Sequence, residues 1–198
     1  MSQIIGYLTS SAGYICVDSN IVYADEKSTL NNKLYSGDRL LIASAGLAFG
    51  IDIIEGFLEK SKKFGIETVE DMENYFLSIA NNQYRQFIFN YGKKLKETLI
   101  RLYFIFIAFD KQGKLSMGLV GAEGDEPLKR FEIKNIVCAP RRLSIEMALT
   151  HISNYEEGYL VNFFKKSMEK ISLVDKGVKP PFQLGIIQDN GSIKKFVL

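Results

Sequence analysis

The fold of this chain is decided by its opening stretch, Ser2-Gln3-Ile4-Ile5-Gly6-Tyr7-Leu8-Thr9-Ser10-Ser11-Ala12-Gly13-Tyr14-Ile15-Cys16-Val17-Asp18-Ser19. Two runs rich in β-branched and aromatic residues, 3–8 and 13–18, flank a group of turn-forming residues, and this pattern predicts a β-hairpin. If Met1 is removed, Ser2 carries both a hydroxyl and a free α-amine, whose pKa of about 7.7–8.0 suits a base near neutral pH. The stretch therefore predicts a β-hairpin with a candidate nucleophile directly before its first strand.

Beyond this hairpin, blocks of strands alternate with pairs of helices. Apolar residues recur at helical spacing from Gly46 to about Gly65, and Thr68 with Asp71 forms the capping signature of a second helix that continues toward Phe87. Further strands are predicted at 21–24, 34–35, 40–44, 101–109, 115–120, 131–138, 182–187 and 192–197, further helices at 143–152 and 159–173, and loops at 25–32 and 121–126.

This order of elements predicts an α+β fold. Two antiparallel sheets would stack face to face with helices on both outer faces, which gives a four-layer αββα sandwich. A doubly wound sheet would need strict alternation of strand and helix, and no Gly-x-Gly-x-x-Gly follows a strand. With no repeat or low-complexity stretch in the chain, we expect a single domain over 1–198.

The composition excludes several classes of function. A net charge of +2 with interleaved Lys and Glu gives no basic surface for nucleic acid. His151 is the only histidine, and Cys16 and Cys138 lack Cys-x-x-Cys spacing, so we expect no His-based triad, no metal and no cofactor. No secretory signal is recognised, and the longest apolar run, 102–109, is too short to span a bilayer. We therefore expect a cytoplasmic protein without a membrane partner.

Several residues behind Ser2 supply what acyl transfer requires. Asp18 and Lys33 provide two charges that can tune a nucleophile, and Gly46 provides a backbone N–H at a strand-to-helix step. A nucleophile, charges near it and a donor for the developing oxyanion are the parts of such a site.

The ordered set of these motifs resembles the proteasome family of N-terminal nucleophile hydrolases over most of the chain. The segments that carry the resemblance are the first hairpin with Asp18-Ser19, Lys33, Ala43-Ser44-Ala45-Gly46, 106–113 and Val174-Asp175-Lys176-Gly177. Because the first strand begins at once, the layout favours the β-type or bacterial peptidase-like subunits over the α-type. The opening residues 1–7 also resemble the start of connectases, archaeal proteasome homologues that exchange peptide bonds and carry an added C-terminal domain.

The resemblance implies roles for individual residues. Ser2 would attack a peptide carbonyl, with Lys33 stabilising the alkoxide and Asp18 pairing with Lys33. The N–H of Gly46 would form the oxyanion hole and Asp175 would orient the terminal amine, while Ser44, Ala48 and Asp52 would line the specificity pocket. The resemblance also implies a peptide or unfolded-protein substrate, a homo-oligomeric ring and a possible ATPase partner.

Departures from the family pattern leave alternatives open. Catalytic proteasomal subunits generally carry threonine as the nucleophile, so a peptidase of threonine type would here use serine. Cys138-Ala139-Pro140-Arg141 and Val178-Lys179-Pro180 lack the hydroxyls expected beside the site. The chain is therefore interpreted as a peptidase, with a non-catalytic structural or assembly subunit as the first alternative and a connectase-like transferase as the second.

Overall fold

A computed structural model describes residues 2–22, 28–95, 100–151 and 156–198. Twelve strands lie in these ranges: β1 (Ile4–Leu8), β2 (Ala12–Asp18), β3 (Asn20–Val22), β4 (Ser28–Leu30), β5 (Leu34–Gly37), β6 (Leu40–Gly46), β7 (Arg101–Phe109), β8 (Leu115–Glu123), β9 (Lys129–Arg130), β10 (Ile136–Ala139), β11 (Phe182–Gln188) and β12 (Ile193–Val197). The α-helices described are α1 (Phe49–Phe64), α2 (Val69–Tyr75), α3 (Asn81–Tyr91), α4 (Leu143–Thr150) and α5 (Glu157–Val174).

The strands form two five-stranded sheets and one small sheet. The first sheet has the order β10-β1-β2-β11-β12, the second has the order β5-β6-β7-β8-β9, and β3 pairs with β4. Every strand pair in these sheets is antiparallel. The predicted α+β class with antiparallel sheets is therefore confirmed. The predicted first hairpin is also present, since β1 pairs with β2 from Ile4↔Val17 to Leu8↔Gly13.

One face of each large sheet contributes to a shared apolar cluster. Ile4, Ile15 and Val17 of the first sheet are buried in the same cluster as Ile105 and Ile107 of the second. Successive residues of a strand point to opposite faces, so the residues between them must be buried elsewhere.

Helices cover those alternate residues. Ile5 and Cys16 of the first sheet pack in a cluster with Phe164 and Met168 of α5. On the second sheet, Phe104 and Phe106 pack in a third cluster that includes residues of α1 and α2. Strands covered on both faces need apolar side chains at every position, which explains the unbroken burial of β2.

The second helical segment follows its local sequence signals. The hydroxyl of Thr68 accepts a hydrogen bond from the N–H of Asp71 at 3.3 Å and caps α2, as predicted. A π-helical turn, Phe76–Ala80, joins α2 to α3, so the chain remains helical to Tyr91. Among the described residues, no helix combines the length and apolar character needed to cross a membrane.

The helix predicted from Gly46 begins instead at Phe49. Gly46 is the last residue of β6, and the N–H of Leu47 still donates to the carbonyl of Arg101 at 2.8 Å, which keeps the chain on the sheet. Gly46 has φ +100°, and a β-carbon there would lie 1.8 Å from the Arg101 carbonyl oxygen. The close approach of the Arg101 carbonyl to the backbone of Gly46 therefore requires glycine at this position.

The predictions for 121–126 and 131–138 are wrong in their bounds. β8 continues through the predicted loop to Glu123, and the predicted strand is replaced by β9 and β10. Phe131 and Ile133 still pack into the cluster between the large sheets, so their apolar character reflects side-chain burial without strand pairing. β4 likewise occupies part of the predicted loop 25–32, while 23–27 and 152 lie outside the described residues.

Two phenylalanines on the same helical segment provide a test of this packing. Phe76 is fully buried, and its ring lies 4.6 Å from that of Phe104 and 5.6 Å from that of Phe106. We expect Phe76→Ala to lower the free energy of unfolding by about 3–5 kcal/mol, because it leaves a cavity in the core. Chemical denaturation of the purified variant measures this loss.

The matched control is Phe89→Ala in α3, since Phe89 is 88% exposed. We expect this variant to remain within about 0.5 kcal/mol of the parent chain. Equal losses in the two variants would contradict the described packing.

Candidate active site

Ser2 and Lys33 are brought together from different parts of the fold. Ser2 lies just before β1 of the first sheet, and Lys33 lies just before β5 of the second. The ammonium of Lys33 donates to the hydroxyl of Ser2, with 2.7 Å between Nζ and Oγ. Both residues are buried, with 7% of Ser2 and 3% of Lys33 exposed. A cation therefore touches the candidate nucleophile in a site that is largely closed to water.

The Lys33 ammonium has two further acceptors. It donates to Asp18 Oδ2 at 3.0 Å and, through a very short contact, to the carbonyl of Asn20. An ammonium has three N–H donors, so these partners and Ser2 satisfy all of them. Lys33 is thereby fixed in position as well as paired in charge.

The Asp18 carboxylate is fully buried and completely surrounded by donors. Its Oδ1 accepts from the N–H of Gln3 at 2.8 Å, and its Oδ2 accepts from the N–H of Asn20 at 3.0 Å as well as from Lys33. Because Gln3 follows Ser2 in the chain, the carboxylate also holds the backbone next to the nucleophile.

Burial shifts the pKa of both charged groups. It raises the pKa of Asp18 above its ordinary value, although Lys33 and the backbone donors oppose this shift. It lowers the pKa of Lys33, opposed by the negative charge of Asp18. Lys33 consequently releases a proton more readily than a lysine in water.

Gln183 of β11 holds the backbone of Lys33 from the first sheet. Its side-chain Oε1 accepts from the N–H groups of Lys33 and Leu34, at 3.0 and 3.1 Å. Sequence reasoning missed this residue, because a glutamine in an amphipathic strand has the same pattern as any solvent-facing polar residue.

Gly46 lies close to this centre along β6. Alternate N–H groups of a strand point to opposite neighbours. The N–H of Ser44 donates to the carbonyl of Lys33 at 3.3 Å, whereas the N–H of Leu47 donates toward β7. The N–H of Gly46 is therefore directed to the Lys33 side of β6, where β5 has ended.

The three residues expected to line a specificity pocket differ from one another in position and burial. Ser44 is buried, and its side chain faces Gly50 of α1, where an added β-carbon would lie 3.2 Å from its Oγ. Ala48 is half-buried at the start of α1, and Asp52 is exposed in the first turn. Partial burial and the nearby Glu55 raise the pKa of Asp52.

Asp175 reaches the site through two other side chains. Its Oδ2 accepts from Nη2 of Arg142 at 3.0 Å, and Nε of Arg142 donates to the side-chain Oε1 of Gln3, also at 3.0 Å. Its Oδ1 accepts from the N–H of Gly177 at 3.0 Å. Sequence reasoning missed Gln3, Asn20 and Arg142 at this site.

The structure therefore groups Ser2, Asp18 and Lys33 directly, with Asp175 linked through Arg142 and with Gly46 two residues along β6 from Ser44, whose N–H donates to the Lys33 carbonyl. The catalytic and pocket roles of the predicted residues stay predictions. Met1 lies outside the described residues, so the state of the Ser2 amine is not described either. In the parts of the chain that the structure describes, no three His, Cys, Asp or Glu residues are arranged to hold a metal ion.

Comparison with known proteins identifies the fold. No family model matches this chain, and no curated protein is similar to it in sequence. Solved structures of Anbu do match: the ancestral beta-subunit from Yersinia bercovieri has a TM-score of 0.71 at 11% identity, over 98% of this chain and 87% of that one. A Gly-1 mutant of Anbu from Hyphomicrobium sp. strain MC1 has a TM-score of 0.69 at 11% identity, over 100% of this chain and 87% of that one. At this identity the likeness concerns the fold.

These neighbours correct the family suggested by the sequence. Anbu proteins are proteasome-like but form a distinct family, so the resemblance to β-type or bacterial peptidase-like subunits, and to connectases, is wrong. The motifs behind that resemblance are short turns and strand ends, which related proteins with the same fold also require. The relationship to proteasome-like folds remains.

The buried ion pair generates a prediction about stability. We expect Lys33→Met to destabilise the fold by about 3–5 kcal/mol at pH 7, because it leaves the carboxylate of Asp18 buried without a cation. Removing the cation raises the folded-state pKa of Asp18 further above its unfolded value of about 3.9. The folded variant then binds a proton more tightly than the unfolded chain, so its stability falls as pH rises from about 4 to 7.

Urea denaturation between pH 4 and 7 measures this dependence. The stability gap between Lys33→Met and the parent chain should narrow as the pH is lowered. Lys194→Met is the control, since Lys194 pairs with Glu157 on the surface at 3.0 Å. We expect it to cost about 0–1 kcal/mol with no such pH trend. A gap for Lys33→Met that is independent of pH would contradict a charged Asp18.

Proposed function

We propose that this protein is a proteasome-like N-terminal nucleophile peptidase that cleaves peptide bonds through an acyl-enzyme on Ser2, after removal of Met1. The observation that carries the proposal is the 2.7 Å contact between Lys33 Nζ and Ser2 Oγ, next to the buried carboxylate of Asp18. Burial lowers the pKa of Lys33, and shifted pKa values cluster at functional sites, which supports the same interpretation.

The packing of the sheets and helices supports a more detailed description of the fold. One apolar cluster is shared by the two large sheets. Each large sheet also shares one further cluster with the helices that pack on it. We infer from these clusters a four-layer αββα sandwich that comprises one domain over 1–198. The Anbu structures cover this chain almost completely, which supports the same conclusion.

The first chemical step is attack on the substrate carbonyl by Ser2 Oγ. The neutral α-amine of Ser2 accepts the hydroxyl proton, directly or through water, and later donates a proton to the leaving amine. The positive charge of Lys33 favours the alkoxide and so lowers the pKa of the hydroxyl. Water then attacks the ester, again with the α-amine as base, and regenerates Ser2.

The N–H of Gly46 would donate to the oxyanion that forms during both attacks. One such donor typically lowers the barrier by about 3–4 kcal/mol. Asp175 would act on the amine through the residues that hold Gln3, since its carboxylate already accepts from Arg142 and from the N–H of Gly177. Ala48 and Asp52, at the start of α1, would contact the substrate, with Ser44 shaping the wall behind them.

The partners are proposed from the fold. A peptide or unfolded protein is the substrate class, and one neighbour is described as a beta-subunit, so we propose a homo-oligomeric ring in the cytoplasm with a possible ATPase partner. A non-catalytic subunit is the second candidate. The observation in its favour is the absence of hydroxyl residues from 138–142 and 175–181, the segments on either side of the Arg142–Asp175 pair.

Mass spectrometry of the natively expressed protein tests the proposal first. We expect the intact mass to lack Met1, and incubation with a peptide β-lactone to add one acyl group at Ser2. Ser2→Ala should abolish both the adduct and the cleavage of a fluorogenic peptide. Ser11→Ala should retain both, because Ser11 is an exposed residue of the first hairpin turn.

Three outcomes would overturn the peptidase proposal. Retention of Met1 leaves no free amine at Ser2, and an unlabelled Ser2 in a chain without Met1 favours the non-catalytic subunit. Peptide cleavage that persists in Ser2→Ala would assign the activity to another group.

The α-amine also predicts the pH dependence of labelling. Only its neutral form accepts the Ser2 proton, so the rate of β-lactone labelling should rise with pH through the α-amine pKa, about 7.7–8.0 in a free chain. Labelling rates from pH 6 to 9 measure this profile. A rate that falls across this range would exclude the amine as base.

A further inference from the structure

Hydrogen bonds link seven residues in a closed ring to which the candidate nucleophile is attached. On one side, Lys33 donates to the Asn20 carbonyl, the Asn20 side chain donates to the Gly177 carbonyl, and the Gly177 N–H donates to Asp175. On the other side, Lys33 donates to Asp18, which also accepts from the Gln3 N–H. Arg142 closes the ring by donating to both the Gln3 side chain and Asp175. Ser2 joins this ring at two points, through its hydroxyl to Lys33 and through its peptide bond to Gln3.

The position of Arg142 in this ring suits only an arginine side chain. Its Nε and Nη2 donate in parallel to Gln3 Oε1 and Asp175 Oδ2, both at 3.0 Å. A guanidinium presents such neighbouring donors in a fixed plane, whereas a lysine ammonium is a single point of charge. Arg142 thus joins the start of β1 to the end of α5.

Gln3 transmits this connection to the nucleophile. Its side chain is fully buried, and its Nε2 donates to the carbonyls of Pro140 and Ile4 at 2.9 and 3.1 Å. Without Arg142, the Oε1 of Gln3 would be a buried acceptor with no donor, and the cost of such a group favours a rearranged side chain. Movement of Gln3 displaces the adjoining residue, Ser2.

We propose that Arg142 is a positioning residue for the proposed peptidase, and that it fixes the Ser2–Gln3 end of the chain by closing this ring. The inference rests on the proposed function for its kinetic consequence, whereas the ordering of the N-terminal strand is a consequence of the ring alone. Arg142 acts through Gln3 and Asp175 and need not touch the substrate.

Kinetics of β-lactone labelling test the kinetic consequence in Arg142→Met and Arg142→Lys. A misplaced nucleophile should slow the maximal labelling rate by roughly 10- to 100-fold while the half-saturating concentration changes little. Arg142→Lys keeps the charge without the paired donors and should restore part of the rate. The pH midpoint of labelling should move upward in Arg142→Met, since the loss of the cation paired with Asp175 leaves a negative charge near the N-terminus that favours the protonated amine.

Arg141→Met is the matched control. Arg141 is the adjacent residue, its side chain is 77% exposed, and it pairs with Glu146 at 3.1 Å. We expect its labelling rate and pH midpoint to equal those of the parent chain. Equal kinetics in Arg142→Met and Arg141→Met would overturn the positioning role while leaving the peptidase proposal intact.

Hydrogen exchange separates the two proposals. Amide exchange in the peptide that covers 2–8 should be faster in Arg142→Met than in Arg141→Met, with Arg142→Lys between them. Thermal denaturation curves establish that all the variants are folded before exchange is measured. If the parent chain is not labelled at all, the peptidase proposal fails, and this exchange measurement still decides the inference. Equal exchange in Arg142→Met and Arg141→Met would overturn it.

Discussion

The buried ion pair between Lys33 and Asp18 is the interaction on which the rest of the site depends. Moving either charge out of water alone would be costly, and the pair is tolerated because every donor and acceptor of the two groups has a partner. The two charged groups and these partners belong to the approach to β1, the connection from β2 to β3 and the approach to β5. The electrostatic requirement therefore fixes three chain segments around one serine.

The two large sheets, which share one apolar cluster, make this arrangement possible. A cation that contacts a hydroxyl inside a protein needs surrounding apolar layers to exclude water, and the clusters on both faces of each large sheet supply them. The helices contribute less to the chemistry than to this covering. Among the described helices, α4 and α5 approach the site, through Arg142 just before α4 and Asp175 just after α5.

Local signals account for the parts of the fold that the sequence predicts well. The capping pair Thr68 and Asp71 and the turn residues between the two β-rich runs of the first hairpin act within a few residues, so they are visible in one sequence. Ser2, Asp18 and Lys33 could be selected by residue type and order. Arg142 and Gln183 could not, because their partners Gln3 and Lys33 are 139 and 150 residues away. The positive φ of Gly46 and the Arg101 carbonyl beside it likewise depend on tertiary approach.

The division of the site between two sheets gives it a mechanical property. Ser2 precedes a strand of the first sheet, and Lys33 precedes a strand of the second. The distance between the Ser2 hydroxyl and the Lys33 ammonium therefore depends on how the two sheets are aligned. Gln183 reinforces this alignment, since its amide crosses from the first sheet to the backbone of Lys33. Close packing of the side chains in the cluster that the two sheets share resists sliding. Ala43 and Ile105 are buried in the cluster that both sheets share. A substitution there that shifts one sheet against the other by a fraction of an ångström would therefore change the surroundings of Ser2 without unfolding the protein.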